Sequence, residues 1–285
     1  MKIGIVGSGY VGEATGRLMY ALKNEVIFYD TESKPGLEKV FKFTNDLKKL
    51  VFYSELIFVC VPTPQNKNGE IDLNIIKSVC LDLSNTFKTL GKSIPVVIKS
   101  TVVPGTTKSI LKPILDKSGF EVSVGSNPEF ITESHTSWSK DDNMRRDWTN
   151  EDKIVIGSED KNIRSILNEV YSKFENKIIN TDTQTAEMIK YASNYCLASK
   201  ISFFNEIFKI CKNLNIDNKI VINALSVDPR IGKYGTINGK AYGGKCLPKD
   251  MKALQYFLKD KLDIPVLDAT IKTNTNMRDK YGVRE

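Results

Sequence analysis

The string Gly243-Gly244-Lys245-Cys246-Leu247-Pro248-Lys249-Asp250 holds the most reactive side chain of the sequence in a setting that suits it. Proline is favoured in the first turn of a helix, so Pro248 places Cys246 at or just before a helix N-terminus. There the unpaired N–H groups and the helix dipole stabilise a thiolate. Lys245 and Lys249 push the same way, and the paired glycines let a substrate approach the backbone. The competing reading is a small residue filling a turn. A second string, Gly7-Ser8-Gly9-Tyr10-Val11-Gly12, fits the dinucleotide fingerprint between a strand and a helix. Gly7 permits the tight turn, Gly9 the approach of a pyrophosphate, and Gly12 close helix–strand contact. Asp30 ends the next strand, 23 residues after Gly7, where a carboxylate accepts the ribose hydroxyls. It also repels a 2′-phosphate, which favours NAD over NADP, although Lys34 nearby weakens that preference. Strand, helix and Asp30 in one register favour dinucleotide binding over the competing reading, an incidental glycine-rich turn.

Three further groups stand where chemistry is expected. Lys190 and Asn194 are four apart and share a face of one helix. A polar stripe on a mostly apolar helix needs a partner, a ligand or solvent. Thr101 follows the strand end Lys99-Ser100, and Glu129 and Glu133 follow another. In doubly wound sheets ligands bind beyond the carboxyl ends of strands, so these side chains are candidates to face a site. Either glutamate can instead be a helix-start carboxylate. A single histidine, His135, leaves almost nothing for a His-based metal site or a Ser-His-Asp triad, and no metal is expected.

The elements that must position these residues follow from periodicity. Lys2–Val6, Val26–Tyr29, Glu55–Val61, Pro95–Lys99, Val122–Val124 and Ile154–Ile156 read as strands. Their continuous apolar character suits strands buried on both faces. Helical spacing at about Val11–Leu22 and Leu73–Leu90 alternates with them, which implies a doubly wound parallel sheet. Residues 134–152 are polar and aperiodic and read as a long surface loop, with Trp138 and Trp148 as packing anchors or part of a lid. Thr185–Leu214 contains no Pro and no Gly, long enough for a helix of about 45 Å. Apolar residues lie on more than one side of it, so burial on most faces is expected, one face covered by a partner subunit. Further helices follow Asp217 as N-cap, Pro248, and Pro265 to Lys280. The expected division is 1–182, a dinucleotide-binding Rossmann-like α/β domain, and 183–285, an all-α domain for dimerisation and the cysteine site.

Composition narrows the class. The chain has 285 residues, 41% hydrophobic and 26% charged, which excludes disordered, collagenous and coiled-coil chains. No apolar run reaches the roughly 18 residues of a membrane span, and MKIGIVGSGY reads directly into a strand rather than a secretory signal. The net charge is +7, with 34 Lys and only seven Arg. No dense basic cluster with interleaved aromatics appears, so neither nucleic-acid nor membrane binding is expected. Five cysteines, in neither a CxxC nor a zinc spacing, point to a reducing cytoplasm, with Cys60, Cys196 and Cys211 as small buried hydrophobes.

Taken together, the strings resemble the UDP-glucose/GDP-mannose dehydrogenase family. They are GSGYVG at 7–12, VPTP at 61–64, KSTVVPGTT at 99–107, NPEFITES at 127–134, TAEMIKYASNYCLASKISFFNE at 185–206, DPRIG at 228–232 and YGGKCLPKD at 242–250. They run over nearly the whole chain, and the last three are highly specific. The resemblance implies a four-electron oxidation by NAD, taking the C6 alcohol of UDP-glucose to UDP-glucuronate. GDP-mannose and UDP-N-acetylmannosamine are the alternative substrates. By resemblance Cys246 is the nucleophile, passing through a thiohemiacetal and a thioester. Lys190 and Asn194 stabilise oxyanion character at C6, and Asp250, with Thr101 and Glu133 around a water, handles protons and hydrolysis. Glu129, Phe130, Ile131 and Glu133 line the sugar and nicotinamide pocket. Gly235, Thr236, Ile237, Asn238, Gly239 and Gly243 bear on the nucleotide sugar. Tyr10, Val11, Asp30, Lys34, Thr63, Thr101, Glu133 and Lys249 contact NAD beside the three motif glycines. A homodimer or higher homo-oligomer is implied.

Three departures accompany the resemblance. Ala241 stands where the family usually has Gly, and Lys245 precedes the cysteine where Ser or an aromatic is common. The family also continues into a third, C-terminal domain, beyond the point where these 285 residues stop. Weaker substrate affinity or altered oligomerisation is therefore expected. Two readings outside this activity share parts of the pattern. A two-electron dehydrogenase of the 6-phosphogluconate or 3-hydroxyisobutyrate type also joins a Rossmann domain to a long helix with Lys and Asn, without needing GGxCxPKD. A truncated relative can bind NAD without turnover.

Overall fold

The computed structural model describes residues 1–132, 138–139, 144, 146–175 and 177–284. In chain order the elements begin β1 (Lys2–Val6), α1 (Tyr10–Ala21), β2 (Glu25–Tyr29), α2 (Pro35–Glu38), β3 (Lys42–Thr44) and α3 (Leu47–Tyr53). They continue β4 (Leu56–Val59), α4 (Asn74–Leu90), β5 (Val96–Ile98), α5 (Lys112–Leu115) and β6 (Val124–Ser126), then β7 (Lys153–Gly157), α6 (Lys161–Val170) and β8 (Lys177–Thr181). The remainder is α7 (Thr183–Asn213), α8 (Asn218–Ser226), β9 (Ala241–Tyr242), α9 (Leu247–Leu258), α10 (Pro265–Tyr281) and β10 (Val283–Arg284).

The first eight strands form one sheet in the order β3-β2-β1-β4-β5-β6-β7-β8. Every pairing is parallel except β6 with β7, joined antiparallel at Ser126 and Gly157, so the expected doubly wound parallel sheet carries one antiparallel pairing. The strands read as unbroken apolar runs because both faces are covered. Ile3, Ile5, Phe28, Phe58 and Val97 face one core with α1 and α6, while Ile57, Val59, Val96 and Ile98 face another with α3, α4 and α5. The chain crosses over between the neighbouring strands β1 and β4, so the sheet has a switch point there, and the crevice beyond its strand ends is where ligands settle in such folds.

Caps explain where helices start. The side chains of Asp46, Asp160 and Asp217 accept from the N–H two residues on, opening α3, α6 and α8. Pro248 stands in the first turn of α9 and Pro265 in that of α10. The strand expected at Val122–Val124 lies two residues later, and β3, β8, β9 and β10 were not expected: each is short or largely polar, so no period identifies it.

The chain divides into two compact units. One comprises Met1–Pro64, Ile71–Ile131 and Asp147–Lys190; the other comprises Gln65–Glu70, Thr132–Arg146 and Tyr191–Glu285. The second unit is mostly helical, with β9 and β10 as a parallel pair. Ala241 is fully buried in β9, without a left-handed backbone, so its methyl is accommodated. Among the described residues no helix is long and apolar enough to cross a membrane.

One expectation of burial is corrected. Cys60, Cys80 and Cys211 are buried, but Cys196 is exposed. Burial pushes the Cys60 and Cys80 thiols up to about 12, which leaves them inert. The long helix α7 leaves one apolar stripe uncovered within the single chain. Met188, Ala192, Cys196, Phe203 and Ile210 are exposed, and their spacing puts them on one stripe of the helix.

Candidate active site

The first unit builds a nucleotide cradle at the end of β1. Gly7 takes φ +94°, the conformation the tight turn requires, and its N–H donates to the Tyr29 carbonyl. A Cβ on Gly12 would lie 1.9 Å from the Gly7 carbonyl oxygen, so only glycine lets α1 pack this close. Gly9 is the opposite case: nothing lies within 4 Å of a Cβ built there. That open space, directly ahead of the N–H groups of α1, fits a dinucleotide pyrophosphate. No side chain caps α1, and Tyr10 in its first turn is exposed. Asp30 follows β2, and its Oδ2 accepts from the Ser8 N–H at 2.7 Å and the Ser8 hydroxyl at 2.6 Å. Burial pushes the Asp30 carboxyl up, but the Ser8 donors and the backbone of Glu32 and Thr31 outweigh it and hold it below its ordinary value. The carboxylate stays charged and aimed across the loop. Lys34 precedes α2, half-buried, its N–H donating to Glu38.

The next strand ends are pinned by hydroxyls. The Thr63 hydroxyl donates to the Thr101 carbonyl at 2.7 Å, and the Ser100 hydroxyl to the Val61 carbonyl at 2.6 Å. Beyond β6, Asn127 is a fully buried hub. Its Oδ1 accepts from Lys99 Nζ at 3.0 Å and the Tyr171 hydroxyl at 2.6 Å, and its Nδ2 donates to the Val155 carbonyl. The turn so fixed presents Glu129, whose Oε1 pairs with Lys190 Nζ at 2.8 Å. Both side chains are under a tenth exposed. Glu129 Oε2 accepts from the Ile131 N–H, and the Phe130 N–H donates to the buried carboxylate of Glu151. The Phe130 ring sits beneath the ammonium groups of Lys153 and Lys190, at 4.1 and 5.7 Å. Burial raises the Glu151 carboxyl, and the attraction of Lys99 and the Phe130 N–H only partly offsets it.

The second unit holds the cysteine. Cys246 is the N-cap residue of α9, half-buried, with Pro248 in the first turn. The helix N-terminus favours negative charge on a sulfur placed there. One turn on, Asp250 is 1% exposed; its Oδ2 accepts from Asn194 Nδ2 at 2.6 Å and its Oδ1 pairs with Lys249 Nζ at 2.8 Å. Lys245 is exposed. The preceding loop is fastened to α7: the Gly239 N–H donates to Asn205 Oδ1, and Asn238 Nδ2 donates to the Phe204 carbonyl. The Gly235 and Ile237 N–H groups reach the Trp138 backbone carbonyl, and Trp138 is itself buried, while Trp148 packs on the core of the first unit. The Thr236 hydroxyl turns back to the Lys233 carbonyl, and Gly243 lies half-buried beyond β9.

Within the first unit the structure thus brings Glu129, Phe130, Ile131 and Lys190 together, and places Gly7 to Gly12, Asp30, Thr63 and Thr101 after successive strand ends. Within the second it joins Asn194, Lys249 and Asp250 beside Cys246. Glu133 lies outside the described residues, as does His135. The sequence reading missed Lys99, Asn127, Glu151, Tyr171 and Glu187. Lys99, Asn127 and Glu187 lie inside quoted strings, and a polar side chain at the edge of an apolar run was the available signal.

Comparison with known proteins gives a family match over most of the chain. Residues 33–175 match the NAD binding domain of the UDP-glucose/GDP-mannose dehydrogenase family, and residues 184–276 match its central domain. The chain is 34% identical to GDP-mannose 6-dehydrogenase of Pseudomonas aeruginosa, over 98% of this chain and 70% of that protein. It is 32% identical to UDP-glucose 6-dehydrogenase of Bacillus subtilis, over 97% of this chain and 63% of the other. Among solved structures, a UDP-glucose dehydrogenase from Pyrobaculum islandicum superposes with a TM-score of 0.86 at 29% identity, covering 98% of this chain and 68% of that one.

Proposed function

The chain belongs to the UDP-glucose/GDP-mannose dehydrogenase family, a family of NAD-dependent nucleotide-sugar dehydrogenases, and from that premise we propose that it oxidises UDP-glucose to UDP-glucuronate. The observation that carries the reading is Cys246 at the N-cap of α9, one turn from a buried Asp250 bonded to Asn194.

NAD, bound twice in succession, would supply the hydride acceptor, one molecule for each oxidation. Gly7, Gly9, Gly12, Tyr10 and Val11 seat the pyrophosphate at α1, Asp30 and Lys34 take the adenosine ribose, and Thr63, Thr101 and Lys249 complete the contacts. The C6 alcohol first loses a hydride and a proton to become an aldehyde. The Cys246 sulfur adds to that carbonyl carbon, and the oxygen collects the proton, giving a thiohemiacetal. Loss of a second hydride and proton leaves a thioester. Water then attacks the acyl carbon, the C–S bond breaks, and the carboxylate and thiol are released. Lys190 and Asn194 stabilise the oxyanions at C6. Asp250, with Thr101 and Glu133, moves the protons. The turn Glu129-Phe130-Ile131 and the loop Gly235-Thr236-Ile237-Asn238-Gly239, with Gly243, hold the sugar and its diphosphate.

A second substrate is favoured by a specific finding: the 34% identity to a GDP-mannose 6-dehydrogenase. One assay separates the two. Purified protein with NAD receives UDP-glucose, GDP-mannose or UDP-N-acetylmannosamine, and NADH and uronate are both counted. Two NADH per UDP-glucose, and no uronate from Cys246→Ala, are expected. One NADH per sugar would overturn the four-electron reading, and turnover of GDP-mannose alone would reassign the substrate.

We also propose that the chain works as a homodimer in a reducing compartment such as the cytoplasm. The exposed apolar stripe of α7 supports the first and the absence of disulfides among the described residues the second.

A further inference from the structure

Glu187 stands on α7 one turn before Lys190, and it is 2% exposed. Its carboxylate accepts from the N–H of Gly105 at 2.5 Å and from the N–H of Thr107 at 2.9 Å. Those donors open the helical segment made of a π-helical turn at Thr107–Leu111 and α5. Such N–H groups have no partner inside their own helix, and an anion is favoured beside them. Asp46, Asp160 and Asp217 cap their helices from the adjoining residue, but here the cap reaches across 80 residues. Burial raises the Glu187 carboxyl despite these donors, so the arrangement carries a desolvation cost.

What the cap fixes is the loop from Ser100 to Gly105. Its near end is fastened by the Ser100 hydroxyl on Val61 and the Thr63 hydroxyl on Thr101. Its far end turns at Gly105, φ +93°, and is held there by the Glu187 carboxylate. We propose that Glu187 is a positioning residue for the reaction: it clamps the Thr101 loop to the helix that carries Lys190, so that both hold one register. The proposal rests on the roles given above to Thr101 and Lys190.

The test uses the full chain and three variants. In Glu187→Gln one carbonyl oxygen remains, and the amide NH2 opposes the second N–H. Gly105→Ala strains the loop at its positive φ, with nothing within 4 Å of the added methyl. Asp160→Ala removes the cap of α6 and serves as a control for lost stability. NADH affinity by fluorescence, kcat and KM for NAD, and Tm are measured on each. Glu187→Gln is expected to lower kcat/KM for NAD about tenfold, the scale of one hydrogen bond to a charged acceptor. Gly105→Ala should change it in the same direction, and Asp160→Ala should lower Tm alone. If Glu187→Gln lowers Tm like the control and leaves NADH affinity and kcat/KM unchanged, Glu187 is structural only and the proposal falls. If that variant does not fold, unchanged NADH affinity in Gly105→Ala overturns it equally. A wild-type chain that binds no NADH overturns the functional reading itself, and the clamp with it, a pattern distinct from both.

Discussion

At the scale of single residues, the informative feature is charge taken out of water. Lys190 and Glu129 pair at 2.8 Å with both side chains under a tenth exposed. Removing one partner of such a pair costs more than removing both, because the survivor stays buried. Lys190→Met should therefore lose about 3–5 kcal/mol in urea unfolding. Lys190→Met with Glu129→Gln should recover part of it; an equal loss in single and double variants would show that the pair is not coupled. Glu151 makes a separate prediction. Its carboxyl is held above its ordinary value of 4.5 by burial, so the folded chain holds that proton more tightly than the unfolded one. Its stabilising contribution is complete below 4.5 and is lost as pH rises through the folded value. Glu151→Gln keeps an acceptor for the Phe130 N–H and removes the titration. The variant should flatten the fall of Tm from pH 4 upward, and a Tm–pH curve parallel to wild type would refute the assignment. Residues of this kind were not legible in the sequence. Cys246, Asp30 and Lys190 stood out because a glycine, a strand end or an apolar helix framed them. Glu151 and Tyr171 bond to partners 21 and 44 residues away, and no local pattern encodes that distance.

At the scale of elements, the first turn of α1 separates folding from binding within four residues. Gly12 has no room for a methyl, and Gly9 has nothing but room. Gly9 also has φ −68° and ψ −173°, which any residue adopts. Gly9→Ala should leave Tm within the range of a surface substitution, about 0.5 kcal/mol, while NADH affinity collapses. Gly12→Ala should lower Tm and affinity together. Equal NADH affinity in Gly9→Ala and wild type would mean that no pyrophosphate enters that space. The strong elements were legible for the same physical reason: β1, β2, β4 and β5 are apolar on both faces, and α9 announces itself with Pro248. The edge strands β3 and β8 carry polar residues, and β6 is Val-Gly-Ser, so their pairing comes from neighbours rather than from their own pattern. α7 was legible in length but not in burial, since apolar residues on several sides do not say which side another chain must cover.

At the scale of the whole molecule, that uncovered side has a consequence. Phe203 and Ile210 are about half exposed, and Met188, Ala192 and Cys196 continue their stripe along the same helix. Contiguous apolar area of this kind is uncommon on a monomer and marks an interaction surface. A second copy of the chain is the occupant we propose, because a straight helical stripe is self-complementary about a two-fold axis. The net charge of +7 on each copy opposes the association, and salt screens that repulsion while leaving apolar burial intact. Light scattering should therefore give twice the chain mass of 32.0 kDa, held more firmly at higher salt. Phe203→Glu with Ile210→Glu should give a single chain at every salt concentration, with the helix content of wild type by circular dichroism. Neither position lies in the first unit, so NADH affinity should survive the change. A wild-type chain that scatters as one copy at tens of micromolar would leave the stripe without this partner.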